Sequence, residues 1–186
     1  MPDRIGSFVP LPRLTLVLGG ARSGKSRHAE TLVEAAADRA LYLATAEPGD
    51  DEMCRRIAAH RARRGPRWTT REEPLDLAAA LAAAARRGSP ILVDCLTLWL
   101  SNLMHAGRDV AAETAALVAL VPALEAPVVM VANEVGLGIV PENALAREFR
   151  DHAGRLNRAV AAAAERVVFV AAGLPLVLKP PTTVRV

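Results

Sequence analysis

Lysine occurs at only two positions in the chain, and one of them lies in the run Gly19-Gly20-Ala21-Arg22-Ser23-Gly24-Lys25-Ser26. The run satisfies the phosphate-loop pattern G-x-x-x-x-G-K-[ST] at every defined position. These residue types at this spacing hold the phosphates of a nucleotide. The glycines let the backbone turn so that successive N–H groups face an anion. A helix beginning at the end of the loop adds the positive end of its dipole. Lys25 is expected to reach the β- and γ-phosphates, and Ser26 to offer its hydroxyl to Mg2+. A chance glycine-rich turn is the competing reading, and the flanking strand and helix patterns argue against it.

Three further groups carry chemical potential. Asp94 ends the apolar run Pro90-Ile91-Leu92-Val93; an acid at the end of such a strand holds Mg2+ directly or through water in phosphate-loop enzymes. The alternative is a helix N-cap. Glu52, Arg56, His60 and Arg64 recur every fourth residue and so share one helical face. An imidazole among Arg61, Arg63 and Arg64 is held neutral by the neighbouring charge, and a neutral imidazole is a competent nucleophile toward phosphorus. A solvated histidine on a charged helix is the plainer alternative. The segment Asn133-Glu134-Val135-Gly136-Leu137-Gly138-Ile139-Val140-Pro141-Glu142-Asn143 either holds a substrate with its polar groups or is a glycine-rich connector. His28, His105 and His152 have no partners at metal-ligand spacing and read as ordinary helix or surface residues.

The elements that must position these groups alternate in type. Leu14–Leu18 reads as a buried strand, followed by the loop and a helix to about Ala37. Ala40–Ala44 is a second strand. A helix is expected from about Asp51 to Arg63, closed by Gly65-Pro66, and Trp68-Thr69-Thr70 is a short extended piece. A helix over Leu75–Arg87, a strand over Pro90–Asp94, and helices over Leu96–Met104 and Ala111–Leu124 follow. Pro127–Val131 is a strand. Pro141 is placed to open a long helix to about Ala164, with Leu145, Phe149, Ala153, Leu156 and Val160 as its apolar stripe. Arg166–Ala171 is a fifth main strand, and Leu174–Lys179 returns as an antiparallel edge strand after Gly173. Apolar strands alternating with helices predict an α/β fold of the P-loop NTPase type, with a mostly parallel sheet flanked by helices. The expected organisation is an extended lead-in over 1–13, one nucleotide-binding catalytic domain over 14–179 and a tail over 180–186.

Composition narrows the function class. Residues counted as hydrophobic make up 52%, which excludes a disordered chain. Aromatics are 3% and net charge is +3, so neither stacking platforms nor a strong basic field for nucleic acid is present. The two cysteines, Cys54 and Cys95, fit reduced thiols rather than a disulfide or zinc framework. The first residues carry no apolar signal core, and no apolar stretch is long enough to span a bilayer. A cytoplasmic protein without a membrane span is expected.

Taken together, the motifs resemble one family, the bifunctional adenosylcobinamide kinase / adenosylcobinamide-phosphate guanylyltransferases of cobalamin biosynthesis. The resemblance runs from about Leu14 to Lys179. It rests on Gly19 to Glu30, Tyr42 to Ala46, Asp50 to Met53, Arg56 to Arg61, Trp68 to Glu72, Asn133 to Asn143 and Phe149 to Asn157. The phosphate loop is generic; the glycine-rich segment combined with the Ile-x-x-His-Arg helix is specific. The resemblance implies that His60 attacks the α-phosphate of GTP and carries GMP as a phosphoramidate. It implies nucleotide contacts for the loop from Gly19 through Gly20, Ala21, Arg22, Ser23, Gly24 and Lys25 to Ser26, for Ala44, Thr45 and Ala46, for Arg61, Ala62, Arg63 and Arg64, and for Glu72 and Asp94. ATP or GTP with Mg2+ are the implied substrates, with no tightly bound cofactor. Adenosylcobinamide and its phosphate are the implied acceptors, bound in an open groove, and a homotrimer is the implied assembly. Many relatives carry Thr where this chain has Ala132. A single-activity kinase and a non-catalytic NTP-binding regulatory module are the rival readings.

Overall fold

The structure is a computed structural model and describes residues 10–46 and 64–181. The described elements, in order, are strand β1 (Leu14–Gly19), helix α1 (Lys25–Glu34), β2 (Ala40–Ala44), β3 (Trp68–Glu72), α2 (Leu77–Ala85), β4 (Ile91–Asp94), α3 (Leu96–His105), α4 (Val110–Leu120), β5 (Val128–Asn133), α5 (Ala144–Ala163), β6 (Arg166–Ala171) and β7 (Leu174–Lys179). One seven-stranded sheet has the order β3-β2-β4-β5-β1-β6-β7. Every neighbouring pair is parallel except β6 with β7, which is antiparallel. The expected fold class is therefore the one observed.

Side chains alternate across the sheet and divide the core in two. Val17, Tyr42, Leu92, Val129, Val131 and Val168 face Ala29 and Val33 of α1. Leu14, Leu16, Leu43, Ile91, Val93 and Met130 face the opposite layer, where Leu81, Trp99, Leu117, Leu156 and Val160 come from α2, α3, α4 and α5. Both faces are covered, as parallel strands require. Trp99 is fully buried, and its indole N–H donates to the Leu75 carbonyl at 2.7 Å. It fills the larger layer while holding the chain that leads into α2.

Several element boundaries differ from the sequence expectation for definable reasons. Trp68–Glu72 is a full edge strand, paired from Ala40↔Trp68 to Ala44↔Glu72, although Thr69, Thr70, Arg71 and Glu72 are exposed. Its polar composition hides it, because an edge strand needs only one neighbour. Pro141 does not open α5. Asn143 is the N-cap, its side chain accepting from the N–H groups of Leu145 and Ala146. Helix α4 stops at Leu120 and tightens into a 3-10 turn over Val121–Ala123, where Pro122 removes a backbone donor. The helix expected over 51–63 lies outside the described residues.

Replacing Trp99 by Ala is expected to lower unfolding free energy by about 3–5 kcal/mol through the cavity it leaves. Urea denaturation followed by far-UV circular dichroism measures this, and a loss below about 1 kcal/mol would contradict the burial argument.

Candidate nucleotide site

The phosphate loop joins β1 to α1 at the carboxyl ends of the parallel strands, where ligands of open α/β sheets bind. Two glycines make its shape possible. A Cβ on Gly19 would lie 2.5 Å from the Val170 carbonyl oxygen and 2.6 Å from Ser23 Oγ. Gly24, the N-cap of α1, has φ +93° and lies against Gly173, whose Cα would be 3.3 Å from an added Cβ. The turn between β6 and β7 presses on the loop here, with the Gly173 N–H donating to the Ser23 carbonyl at 2.9 Å. Within the loop, Ser23 N–H donates to the Gly20 carbonyl at 3.3 Å, and Lys25 Nζ donates to that same carbonyl at 3.0 Å. Ser23 Oγ is buried with no hydrogen-bond partner. The lysine ammonium is thus held inside the loop, close to the amides that would meet a phosphate.

The other expected site residues gather along the same sheet end. In register, Glu72 of β3 lies beside Ala44 of β2, and Ala44 lies beside Asp94 of β4. Thr45 and Ala46 continue from β2. Thr45 is fully buried, and its hydroxyl exchanges two hydrogen bonds with the backbone of Cys95, donating to the carbonyl at 2.7 Å and accepting from the N–H at 2.8 Å. Asn102 of α3 donates to the carbonyls of Thr45 and Pro74. These bonds fix the ends of β2 and β4 against each other.

Asp94 is not a helix cap. The N-cap of α3 is Cys95, and Asp94 Oδ2 accepts the Tyr42 hydroxyl at 2.7 Å. Tyr42 and Leu92 lie on the α1 face, and strand alternation puts Asp94 there as well. Ser26 is the second residue of α1, the helix packed on that face, so the two residues lie on one side at one end of the sheet. Burial and the Asp94 charge push the Tyr42 phenol well above its usual range, so it remains a donor. Tyr42, the single tyrosine of the chain, opens the motif Tyr42 to Ala46, yet the sequence assigns it no function; a lone phenol in an apolar strand two positions before its end is the available signal.

Arg64 sits with its guanidinium carbon 3.3 Å from the Tyr42 ring centroid, and the Trp68 ring meets Tyr42 edge-on at 6.0 Å. Its Nε and Nη1 are buried without hydrogen-bond partners. The chain that follows His60 in sequence is thereby anchored beside the residue that holds Asp94. His60, Arg61, Ala62 and Arg63 lie outside the described residues. Of the remaining histidines, His28 is partly buried, and burial with the Arg166 charge lowers its pKa and keeps it neutral. His105 bonds within α3, and His152 approaches Glu148.

Among the described residues, no group of three or more His, Cys, Asp or Glu could cage a metal. A serine hydroxyl and one carboxylate are hard oxygen donors and match an ion that keeps its waters and takes ligands from phosphate, as Mg2+ does. No helix among the described residues is long and apolar enough to cross a membrane.

The family model described as cobinamide kinase / cobinamide phosphate guanyltransferase matches residues 15–178. A bifunctional adenosylcobalamin biosynthesis protein, CobP of Pseudomonas aeruginosa, is 51% identical over 166 residues, covering 88% of this chain and 96% of that protein. A protein of the same description, CobU of Salmonella typhimurium, is 42% identical over 181 residues, covering 89% of this chain and 99% of the relative. Among solved structures, the flagellar accessory protein FlaH of Methanocaldococcus jannaschii aligns with a TM-score of 0.55 at 14% identity. The alignment covers 96% of this chain and 83% of FlaH. That likeness concerns the fold alone.

Two outcomes follow from the packing. Gly19→Ala is expected to destabilise the protein by about 1–3 kcal/mol because backbone must move, whereas Gly20→Ala costs less than about 1 kcal/mol. An added Cβ at Gly20 meets nothing within 4 Å. Urea titration of the two variants makes the comparison, and equal losses would contradict the close approach. The Cys95 thiol is buried and its pKa is pushed up to about 11 by burial and then by the Asp94 charge. Iodoacetamide at mildly alkaline pH should therefore modify Cys95 only after unfolding, as located by peptide mass spectrometry.

Proposed function

The chain belongs to the cobinamide kinase / cobinamide phosphate guanyltransferase family, and we propose that it carries both activities of that name. It is read as a transferase that phosphorylates adenosylcobinamide and then transfers GMP from GTP to give adenosylcobinamide-GDP. The observation that carries the reading is the complete phosphate loop at a strand–helix junction, with Ser26 and Asp94 on one side at one end of the sheet.

In the first step the aminopropanol hydroxyl oxygen of the acceptor bonds to the γ-phosphorus of ATP or GTP. The bond to the β,γ-bridging oxygen breaks, the nucleoside diphosphate leaves with the electron pair, and the hydroxyl proton passes to solvent. Little covalent chemistry falls to the protein, so its residues act by position and charge. The loop amides from Gly19 to Ser26 face the phosphates. Lys25, already bonded to the Gly20 carbonyl at the loop, follows the charge onto the transferring group. Ser26 and Asp94 would hold Mg2+, which when bound neutralises phosphate charge. The Tyr42 hydroxyl orients the Asp94 carboxylate.

In the second step an imidazole nitrogen of His60 bonds to the α-phosphorus of GTP and pyrophosphate leaves. A phosphate oxygen of adenosylcobinamide phosphate then displaces the imidazole, breaking the phosphorus–nitrogen bond and freeing neutral His60. Two displacements at a histidine replace one attack by a weakly nucleophilic phosphate. Arg61, Ala62, Arg63 and Arg64, together with Ala44, Thr45, Ala46 and Glu72, are assigned to nucleotide contacts. The buried, unpartnered N–H groups of Arg64 support an anion near Tyr42.

An acceptor as large as a corrinoid needs an open surface. Leu137, Ile139 and Val140 are exposed in the loop after β5, whose Glu134 N–H donates to the Gly19 carbonyl at 3.1 Å. Among the described residues strand β7 pairs on one side only, and it exposes Leu174, Leu176, Val177 and Leu178, which supports assembly with further copies, a trimer by family resemblance. Residues 14–179 are taken as one catalytic domain of a cytoplasmic enzyme.

GTP labelled at the α-phosphate should leave a protein-bound label that survives alkali and is lost in acid. The label should be absent from His60→Ala and retained in the wild type without corrinoid. Label that persists in His60→Ala, or none in the wild type, contradicts the covalent route.

A further inference from the structure

Helix α5 reaches well past the sheet it packs on. Asn157 Nδ2 donates to the Asn133 carbonyl at the carboxyl end of β5. After Asn157 the helix runs back toward Arg166, which starts β6 beside Thr15 near the amino end of β1. Residues 144–156, which precede that anchor, therefore extend about 20 Å beyond the carboxyl end of the sheet. Helix α3 comes to the same place. Its Asn102 donates to the carbonyl of Thr45, just past β2, so its last turn also stands at this end. Between the end of α3 and the start of α5 lies a cavity of about 410 Å3. The phosphate loop opens at the same end of the sheet, and one segment joins the two. The chain leaves β5 with the Glu134 N–H on the Gly19 carbonyl and reaches the cavity at Asn143. On the way it exposes Leu137, Ile139 and Val140.

The cavity walls are apolar: Met104 from α3, and Leu145, Ala146 and Phe149 from α5. Met104 and Phe149 rest on the main core, whereas Leu145 is 58% exposed. Apolar surface left open, and continued by three more exposed apolar side chains, marks a contact with something else. The polar groups narrow what that is. His105 Nδ1 lies 2.7 Å from the Ser101 carbonyl, which can only accept, so Nδ1 carries the proton and Nε2 of the neutral ring is an acceptor. Asn143 uses its Oδ1 on the N–H groups of Leu145 and Ala146, so what it offers a ligand is the Nδ2 donor. One donor and one acceptor beside an apolar wall match a carboxamide on an apolar frame. A corrin is such a molecule, a broad macrocycle edged with methyl groups and carboxamide arms. A second copy of the chain has no need of that pair, and the apolar strip on β7 lies at the other edge of the sheet from β2.

We infer that the cavity between α3 and α5 is the seat of the acceptor's corrin ring, one edge of the ring filling it while the rest lies along Leu137, Ile139 and Val140. The inference rests on the acceptor reading given above and assigns residues to it. Adenosylcobinamide and its phosphate share the ring, so one seat serves both steps. The aminopropanol arm leaves the ring edge and carries the reacting hydroxyl toward the phosphate loop. No bond to the ring forms or breaks, so these residues contribute affinity and placement.

The test compares full-length wild type with Leu145→Glu and Ala146→Trp. Leu145 is exposed in the first turn of α5, where an acidic side chain suits the helix dipole, so Leu145→Glu places a charge on the seat and spares the fold. Ala146→Trp fills the cavity instead. Adenosylcobinamide is coloured, and equilibrium dialysis read by visible absorbance gives its dissociation constant. Each variant is expected to bind it about 10- to 100-fold more weakly. KM for it in phosphorylation should rise by the same factor, with kcat within about three-fold of the wild type. Binding of a non-hydrolysable GTP analogue, and acid-labile labelling of the protein by α-labelled GTP, need no corrinoid and should match the wild type. Dissociation constants within about three-fold of the wild type in both variants overturn the inference. So does a lower oligomeric state of Leu145→Glu in sedimentation velocity with corrinoid affinity retained, which would make this face a contact between copies. If one variant fails to fold, the other decides by the same criterion. A wild type that binds the GTP analogue but no adenosylcobinamide removes the acceptor reading itself, and the inference with it.

Discussion

The site depends on one constraint: backbone N–H groups at the start of α1 must converge where an anion arrives. That requires a backbone bend with no side chain at two positions. Gly19 has no room for a Cβ beside the Val170 carbonyl, and Gly24 takes a left-handed conformation against Gly173. The hairpin turn between β6 and β7 completes the fit through the Gly173–Ser23 hydrogen bond. The antiparallel edge pair, which looks peripheral in the sheet order, is therefore part of what shapes the phosphate cradle.

The sheet order then decides which groups meet a bound phosphate. Because β5 separates β1 from β4, the acid at the end of β4 does not stand directly beside the loop, and the gap is filled by the end of β5. Alternation assigns Asp94 and Asn133 to the α1 face, while the large apolar layer around Trp99 lies on the other. Stability and chemistry are divided between the two faces. Helices α3 and α5 pack in the large layer, yet each sends one polar side chain to fix the backbone at the end of β5. The Thr45–Cys95 and Asn102–Thr45 bonds do the same for β2 and β4.

Much of this was legible in the chain. The five internal strands are runs of Leu, Val, Ile and Ala bounded by turn residues, so their burial on both faces writes them into the sequence. The phosphate loop was legible because its chemistry restricts residue types at fixed spacing. Strand β3 was read only in part, since an exposed edge tolerates Thr, Arg and Glu and leaves no apolar run. Pro141 misled because proline favours a helix start, whereas the Asn143 side chain caps two donors and takes that place. The role of Tyr42 depends on a contact 52 positions away, with Asp94, and no local pattern encodes such a pair. Asn133 was visible as a polar residue after an apolar strand, but the hydrogen bonds that fix its backbone come from two helices remote in sequence.

The most direct measurement is equilibrium dialysis of a labelled non-hydrolysable GTP analogue against the purified protein with magnesium, repeated with inorganic tripolyphosphate as competitor. The account requires saturable binding of a single nucleotide per chain that tripolyphosphate displaces, because the cradle recognises phosphates through backbone amides and Lys25. Absence of saturable binding, or binding indifferent to tripolyphosphate, would contradict it.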